Sequence, residues 1–191
     1  MNQTLFKGPT IQLLPYSSKY WECVAQWFYN KDYEEFFRGY HKALNEEEFK
    51  HLPELIRGEV FIAHSLVDNS IVGMIHVIPS GKSNRACYLG LLVDTTSRKK
   101  RIPSEMLILV MEYLFNKQGY NKVILEILES NDSLRRSVES AGFYREGKLL
   151  QDCFFNGRYQ NELRYSMTAR HFNKIKDKSI QDYTDFIKEK V

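Results

Sequence analysis

The sequence predicts an α/β protein of the α+β type, with a mixed, mostly antiparallel central sheet, flanking helices and an extra C-terminal helix. Three observations predict it. Between Glu59 and Val93, three short runs rich in β-branched and aromatic residues are separated by turn residues, a spacing that suits an antiparallel meander. After Asp94 the apolar period lengthens to that of a helix, then gives way to a nearly continuous apolar run from Lys122 to Leu128, as in a central strand. Near the end, Asn156-Gly157 separates two strand-like runs, the strongest short hairpin signal because both residues tolerate positive φ.

Length and composition bound the rest. A chain of 191 residues fits one domain with an appendage, and 43 % apolar with 14 % aromatic residues is globular rather than disordered. A formal charge of +3 is too mild to argue for nucleic acid. The longest apolar run, Met106 to Leu114, is short of a membrane span and contains Glu112. The start, MNQTLFKG, lacks the basic and apolar pattern of a signal peptide. The three cysteines, Cys23, Cys87 and Cys153, are odd in number and widely spaced, which excludes a disulfide framework and suggests a reducing, cytoplasmic setting. The five histidines have no metal-ligand spacing, so no metal is expected.

In chain order, Thr10 to Leu14 reads as a strand closed by Pro15. Ser17 or Ser18 can cap a helix that carries Tyr20, Trp21, Val24, Trp27 and Phe28 at helical spacing. Asn45, followed by three glutamates, reads as the start of a helix with Phe49, Leu52, Leu55 and Ile56 on one side and a stop at Gly58. Strands follow at 59–64, 71–78 and 86–93. A helix from Pro103 to Lys117 ends at Gly119, and strand 122–128 leads to a short helix from Asp132 or Ser133 to Gly142. Phe143 opens another strand, and the hairpin joins 149–155 to 158–167. Residues 170–178 read as a basic linker, and Ser179 caps a last amphipathic helix with Ile180, Tyr183 and Ile187 on one face. The domain is therefore expected at 1–168, with the linker and helix at 169–191.

Two stretches can carry chemistry. Arg98, Lys99, Lys100 and Arg101 stand just before a helix whose first position suits Pro103. Free N–H groups and the positive end of the helix dipole favour an anion there, and the added cations suit a pyrophosphate. A solvated basic loop or a weak nucleic-acid patch is the competing reading of that charge run. The second stretch, Asn131 to Phe143, follows the apolar strand directly and taken alone is an amphipathic helix with a glycine stop.

Together these residues resemble the GNAT superfamily of acyl-CoA-dependent N-acetyltransferases, and within it the RimJ/RimL-like branch. The resemblance rests on Trp27-Phe-Tyr-Asn30, on Leu89-Gly-Leu-Leu-Val-Asp94, on Asn131, Arg136, Glu139, Gly142 and Phe143 in register, and on the hairpin from Phe154 to Met167. It implies a sheet splayed in the middle, with acetyl-CoA as co-substrate. Its pantetheine arm would lie along Leu91, Leu92 and Val93, and its pyrophosphate on Arg98, Lys99, Lys100, Arg101, Ile102, Pro103 and Ser104, with Asn131 and Arg136 nearby. Acetyl would pass directly to a primary amine: a protein N-terminus, an amino sugar or another small amine. The acceptor side would involve the N-terminal helices from Trp27 to Tyr40 and the hairpin near Asn156, with Trp27, Tyr33 and Asp152 as candidate contacts. The chain departs from the family pattern where small residues of the CoA loop are replaced by Arg101 and Pro103. It departs again at the acid/base positions, which hold Tyr88, Val138 and Leu134. Tyr88 and Ser133, with His76 and Asp152 behind them, are the stand-ins. These departures keep open a catalytically degenerate GNAT fold that serves as a structural or partner-binding protein, with the C-terminal helix docking on a second copy or another chain. Neither a membrane nor a nucleic-acid partner is expected.

Overall fold

The structure is a computed structural model that describes residues 6–38, 43–81, 85–98 and 102–177. Eight strands form one sheet in the order β1-β2-β3-β4-β5-β6-β8-β7. They are β1 (Phe6–Lys7), β2 (Ile11–Pro15), β3 (Glu59–Ser65), β4 (Ile71–Pro79), β5 (Ala86–Val93), β6 (Lys122–Leu128), β7 (Tyr144–Phe155) and β8 (Arg158–Thr168). All neighbours run antiparallel except β5 and β6. That parallel pair needs a crossover, and α4 (Ile102–Glu112) supplies it.

Alternation along the strands divides the core between the two faces. Phe61, Ala63, Ile75 and Leu89 face α4 and α5 (Asp132–Ser140), where Met106, Val110, Leu114 and Val138 complete the cluster. Val60, Ile62, Met74 and Leu92 face α1 (Trp21–Phe28), α2 (Glu46–Lys50) and α3 (Leu52–Ile56), packing with Val24, Trp27, Phe49 and Leu52.

Several elements differ from expectation. The single helix read after Asn45 breaks in two. Asn45 forms the capping box with Glu48, but the chain reorganises at His51, and Pro53 stands at the start of α3. The stop belongs to Arg57, which takes the left-handed conformation at φ 53°; at Gly58 any Cβ would strike the Val77 carbonyl of β4. The long helix after Pro103 ends as α at Glu112 and continues as a π-helical turn, Tyr113–Lys117. β7 is one strand of 12 residues, kinked where Gln151 adopts φ 52°. The basic linker is a correction. Residues 169–177 are helical (α6), because Phe172 and Ile175 share a face and pack on the core while Arg170 and Lys174 are exposed and Lys176 pairs with Glu112. Phe172 is buried against Phe115, with ring centroids 5.4 Å apart. The helix expected from Ser179 lies outside the described residues. No described helix is long and apolar enough to cross a membrane.

Candidate active site

The site follows from strand lengths. β5 and β6 pair only through Ala86–Lys122, Cys87–Val123 and Tyr88–Ile124. Beyond that point each strand stays with its outer neighbour: β4 holds β5 as far as Val93, and β8 holds β6 as far as Leu128. The two strands separate into a fork. The backbone groups of β5 that face β6 beyond Tyr88 have no strand partner, and an extended, amide-bearing molecule can take that place.

A cavity of ≈ 1350 Å³ fills the fork. Leu89 to Val93 form one wall, Leu125 to Ile127 the other, and Leu107, Ile108 and Met111 of α4 with Leu134 and Val138 of α5 form its apolar floor. Its open end reaches Arg98, Pro103 and Ser104 at the start of α4. Lys99, Lys100 and Arg101 lie outside the described residues. Leu91, Leu92, Val93, Asn131, Ser133, Tyr88, Tyr33 and Asp152 all stand in the cavity wall. Three expected site residues do not. Ile102 is buried in the core, Arg136 is exposed on α5, and Trp27 is buried among the helices of the opposite face.

Trp27 instead belongs to a knot around Asp94. The Asp94 carboxylate accepts from Thr96 N (3.0 Å), Thr96 Oγ1 (2.6 Å), Tyr33 OH (2.9 Å) and Trp27 Nε1 (3.4 Å). Burial pushes this carboxyl up, but the donors, led by Thr96, outweigh it and hold it below its usual range. Arg98 joins the knot. Its Nε donates to Val93 O (3.3 Å), its Nη2 to Asp32 O (3.1 Å), and its guanidinium lies 5.3 Å from the Tyr33 ring centre. Arg98 therefore pins residues 31–38 to the end of β5.

The same segment straps across the fork mouth. Arg38 donates to Glu162 through Nε (3.0 Å) and Nη2 (2.5 Å), to Glu126 O (2.7 Å) and to Glu35 O (2.8 Å). Asn131 caps α5 by accepting from Leu134 N (3.0 Å) and donates Nδ2 to both carboxylate oxygens of Glu35 (2.9 and 2.8 Å). Arg164 pairs with Glu126 (2.5 Å) and lies 6.0 Å from the Tyr88 ring centre. Asp32, Glu35, Glu126, Asp152 and Glu162 thus line the cavity against only Arg38 and Arg98 among described cations. Sequence reading singles out none of Glu35, Arg38, Glu126 and Glu162, although the acceptor segment from Trp27 to Tyr40 contains the first two, because only the strand order brings residue 38 beside residue 162. No group of three or more His, Cys, Asp or Glu side chains among the described residues is arranged to hold a metal ion.

Over residues 11–144 the chain matches the acetyltransferase (GNAT) domain. It belongs to the GNAT family. It is therefore an acetyltransferase of the kind that moves acetyl from acetyl-CoA to an amine. Among its relatives is the spermidine N(1)-acetyltransferase of Vibrio cholerae serotype O1, 23 % identical over 136 residues that make up 67 % of this chain and 78 % of that protein. Another is the putative ribosomal N-acetyltransferase YdaF of Bacillus subtilis, 26 % identical over 107 residues, 56 % of this chain and 58 % of that one. The fold is shared with the crystal structure of spermidine N-acetyltransferase from Vibrio cholerae in complex with CoA and spermine. That match has a TM-score of 0.78 at 16 % identity and covers 86 % of this chain and 99 % of the other. The fork, its unpaired β5 backbone and the helix start at its open end suit the CoA arm and its diphosphate.

Proposed function

We propose that this GNAT enzyme acetylates a small polyamine, and that the fork between β5 and β6 holds the thioester while the acidic mouth receives the cation. The observation that carries the reading is the excess of carboxylates over guanidinium groups in the cavity wall. With Glu162 and Glu126 engaged by Arg38 and Arg164, Glu35 and Asp152 make no ion pair with a described cation. The names of the Vibrio cholerae relatives point the same way. A protein α-amine, the acceptor type suggested by the RimJ/RimL-like resemblance, is the second reading, and the likeness to the putative ribosomal enzyme favours it.

In this reading Leu91, Leu92 and Val93 align the carrier arm, and the start of α4, Pro103 and Ser104 with the basic residues before it, takes the diphosphate. Tyr88, at the crotch of the fork, and Ser133, in the facing wall, are the hydroxyls offered to the departing thiolate. Holding amine and thioester together contributes much of the rate by itself. The three free thiols suit the reducing cytoplasm. The amphipathic pattern at 179–187 is proposed to dock on a second copy, which light scattering of the full chain and of one truncated at 178 tests.

Calorimetry with acetyl-CoA, followed by thiol release with spermidine or an N-terminal peptide as acceptor, tests the assignment. Saturable heat and faster release with spermidine support it. Faster release with the peptide transfers the assignment to a protein α-amine, and no heat at high micromolar acetyl-CoA leaves only the degenerate, non-catalytic fold.

A further inference from the structure

His76 lies in β4 directly opposite Gly90 of β5. Its ring packs on Phe36 of the strap, with centroids 4.8 Å apart and planes at 33°, and its other side lies over Gly90, where a Cβ would strike Nε2. Glycine inside a strand weakens it. Here the missing side chain is the space that the imidazole occupies. Nδ1 is sealed from solvent without a hydrogen-bond partner among the described residues. An unpaired buried polar atom is destabilising, a cost that an aliphatic side chain in this seat would avoid. A buried lone pair is tolerated better than a buried N–H, so the proton belongs on Nε2, at the cavity wall. Burial, and after it the Arg38 guanidinium, pushes His76 down to about 4, so the ring is neutral in ordinary buffers.

The thioester carrier comes in from the α4 end, and the fork closes at Tyr88 and Ile124. Its reacting end therefore rests beside Leu89 and Gly90, about 10 Å down the strand from Val93 at roughly 3.3 Å per residue. That is where His76 Nε2 stands.

We propose that His76 is a catalytic residue of the acetyl transfer, donating Nε2–H to the thioester carbonyl oxygen as negative charge builds on it. The amine nitrogen bonds to the carbonyl carbon, and the C=O π pair moves onto the oxygen that His76 holds. The pair then returns, the C–S bond breaks and CoA leaves as the thiolate. The proton lost by the amine passes to water or to the thiolate. His76 neither gains nor loses a proton. A preorganised neutral donor of this kind acts most strongly in a site with little water. The assignment rests on the acetyltransfer reading above.

The test compares wild type, His76→Ala and His76→Gln, the last of which keeps an N–H donor near the Nε2 position. One readout needs no acceptor: the infrared carbonyl stretch of bound carbonyl-13C acetyl-CoA. It is expected at lower frequency in wild type and His76→Gln than in His76→Ala. With spermidine, His76→Ala is expected to lower kcat on the order of 100-fold, with KM for acetyl-CoA within twofold, and His76→Gln to recover at least tenfold of that loss. Equal carbonyl frequencies in wild type and His76→Ala, kcat changed by less than threefold in His76→Ala, or equal losses in both variants overturn the assignment of His76 alone. Absence of acetyl-CoA binding to wild type overturns the acetyltransfer reading and this assignment with it.

Discussion

Replacing Arg38 with methionine removes the cation that closes the strap over the fork. The guanidinium makes four hydrogen bonds, two to the Glu162 carboxylate and one each to the carbonyls of Glu126 and Glu35. Glu162 is only 6 % exposed, so its charge would remain buried with neither its cation nor those donors. Breaking a buried pair from one side costs about 3–5 kcal/mol. Arg38 keeps 19 % of its side-chain exposure, which admits some water and places the expected loss at the low end, about 3 kcal/mol. Urea unfolding followed by the fluorescence of Trp21 and Trp27 measures it, with the slope unchanged between variants. Adding Glu162→Met to Arg38→Met removes the orphaned charge and is expected to restore about 2 kcal/mol. A single variant within 0.5 kcal/mol of wild type, or a double variant whose losses simply add, would refute the claim that this pair is a buried clasp.

Three further outcomes follow from the same geometry. Asp94→Asn turns one acceptor oxygen toward Tyr33 and Trp27 into a donor and is expected to cost about 2 kcal/mol at pH 7; because the folded-state carboxyl is held below its usual range, that difference shrinks as pH falls through its folded value, and stability curves from pH 7 to 3 check it. Phe172→Ala is expected to lower stability by about 3 kcal/mol, measured by the same urea unfolding; a surface-linker role for 169–177 would leave it unchanged. His76 titrates near 4 when folded, against 6.5 for the free side chain, so the unfolded chain takes up its proton first and stability falls as pH drops from 6.5 toward 4. The wild type is expected to lose on the order of 2 kcal/mol more than His76→Gln between pH 7.5 and 5, and parallel pH profiles of the two would contradict it.

What was legible in the sequence was what neighbours in the chain decide. Asn156 and Gly157 adopt φ 53° and 75° as the hairpin requires, Asn45 makes its capping box with Glu48, and the run from Lys122 to Leu128 is a central strand. The family resemblance placed the fork, but its cause lies in pairing lengths: β5 and β6 share three register pairs and then follow separate partners. No local pattern encodes that. The helix at 169–177 is hidden because its two apolar contacts, Phe172 and Ile175, are spaced among Arg170, Lys174 and Lys176. Trp27 was legible as an important aromatic, yet it serves Asp94 rather than a substrate, since the distinction depends on Asp94 lying 67 residues away. His76 is one of four acid/base stand-ins in the sequence, with no metal-ligand spacing to single it out; its place opposite Gly90 comes from β4–β5 register alone.

The most direct test of the forked site is a crystal structure of the protein with acetyl-CoA. The account predicts density for the arm between residues 89–93 and 125–127, with the diphosphate at the start of α4 and the thioester carbonyl within hydrogen-bond reach of His76 Nε2. Acetyl-CoA bound elsewhere on the molecule, with the fork closed or filled by side chains, would contradict it.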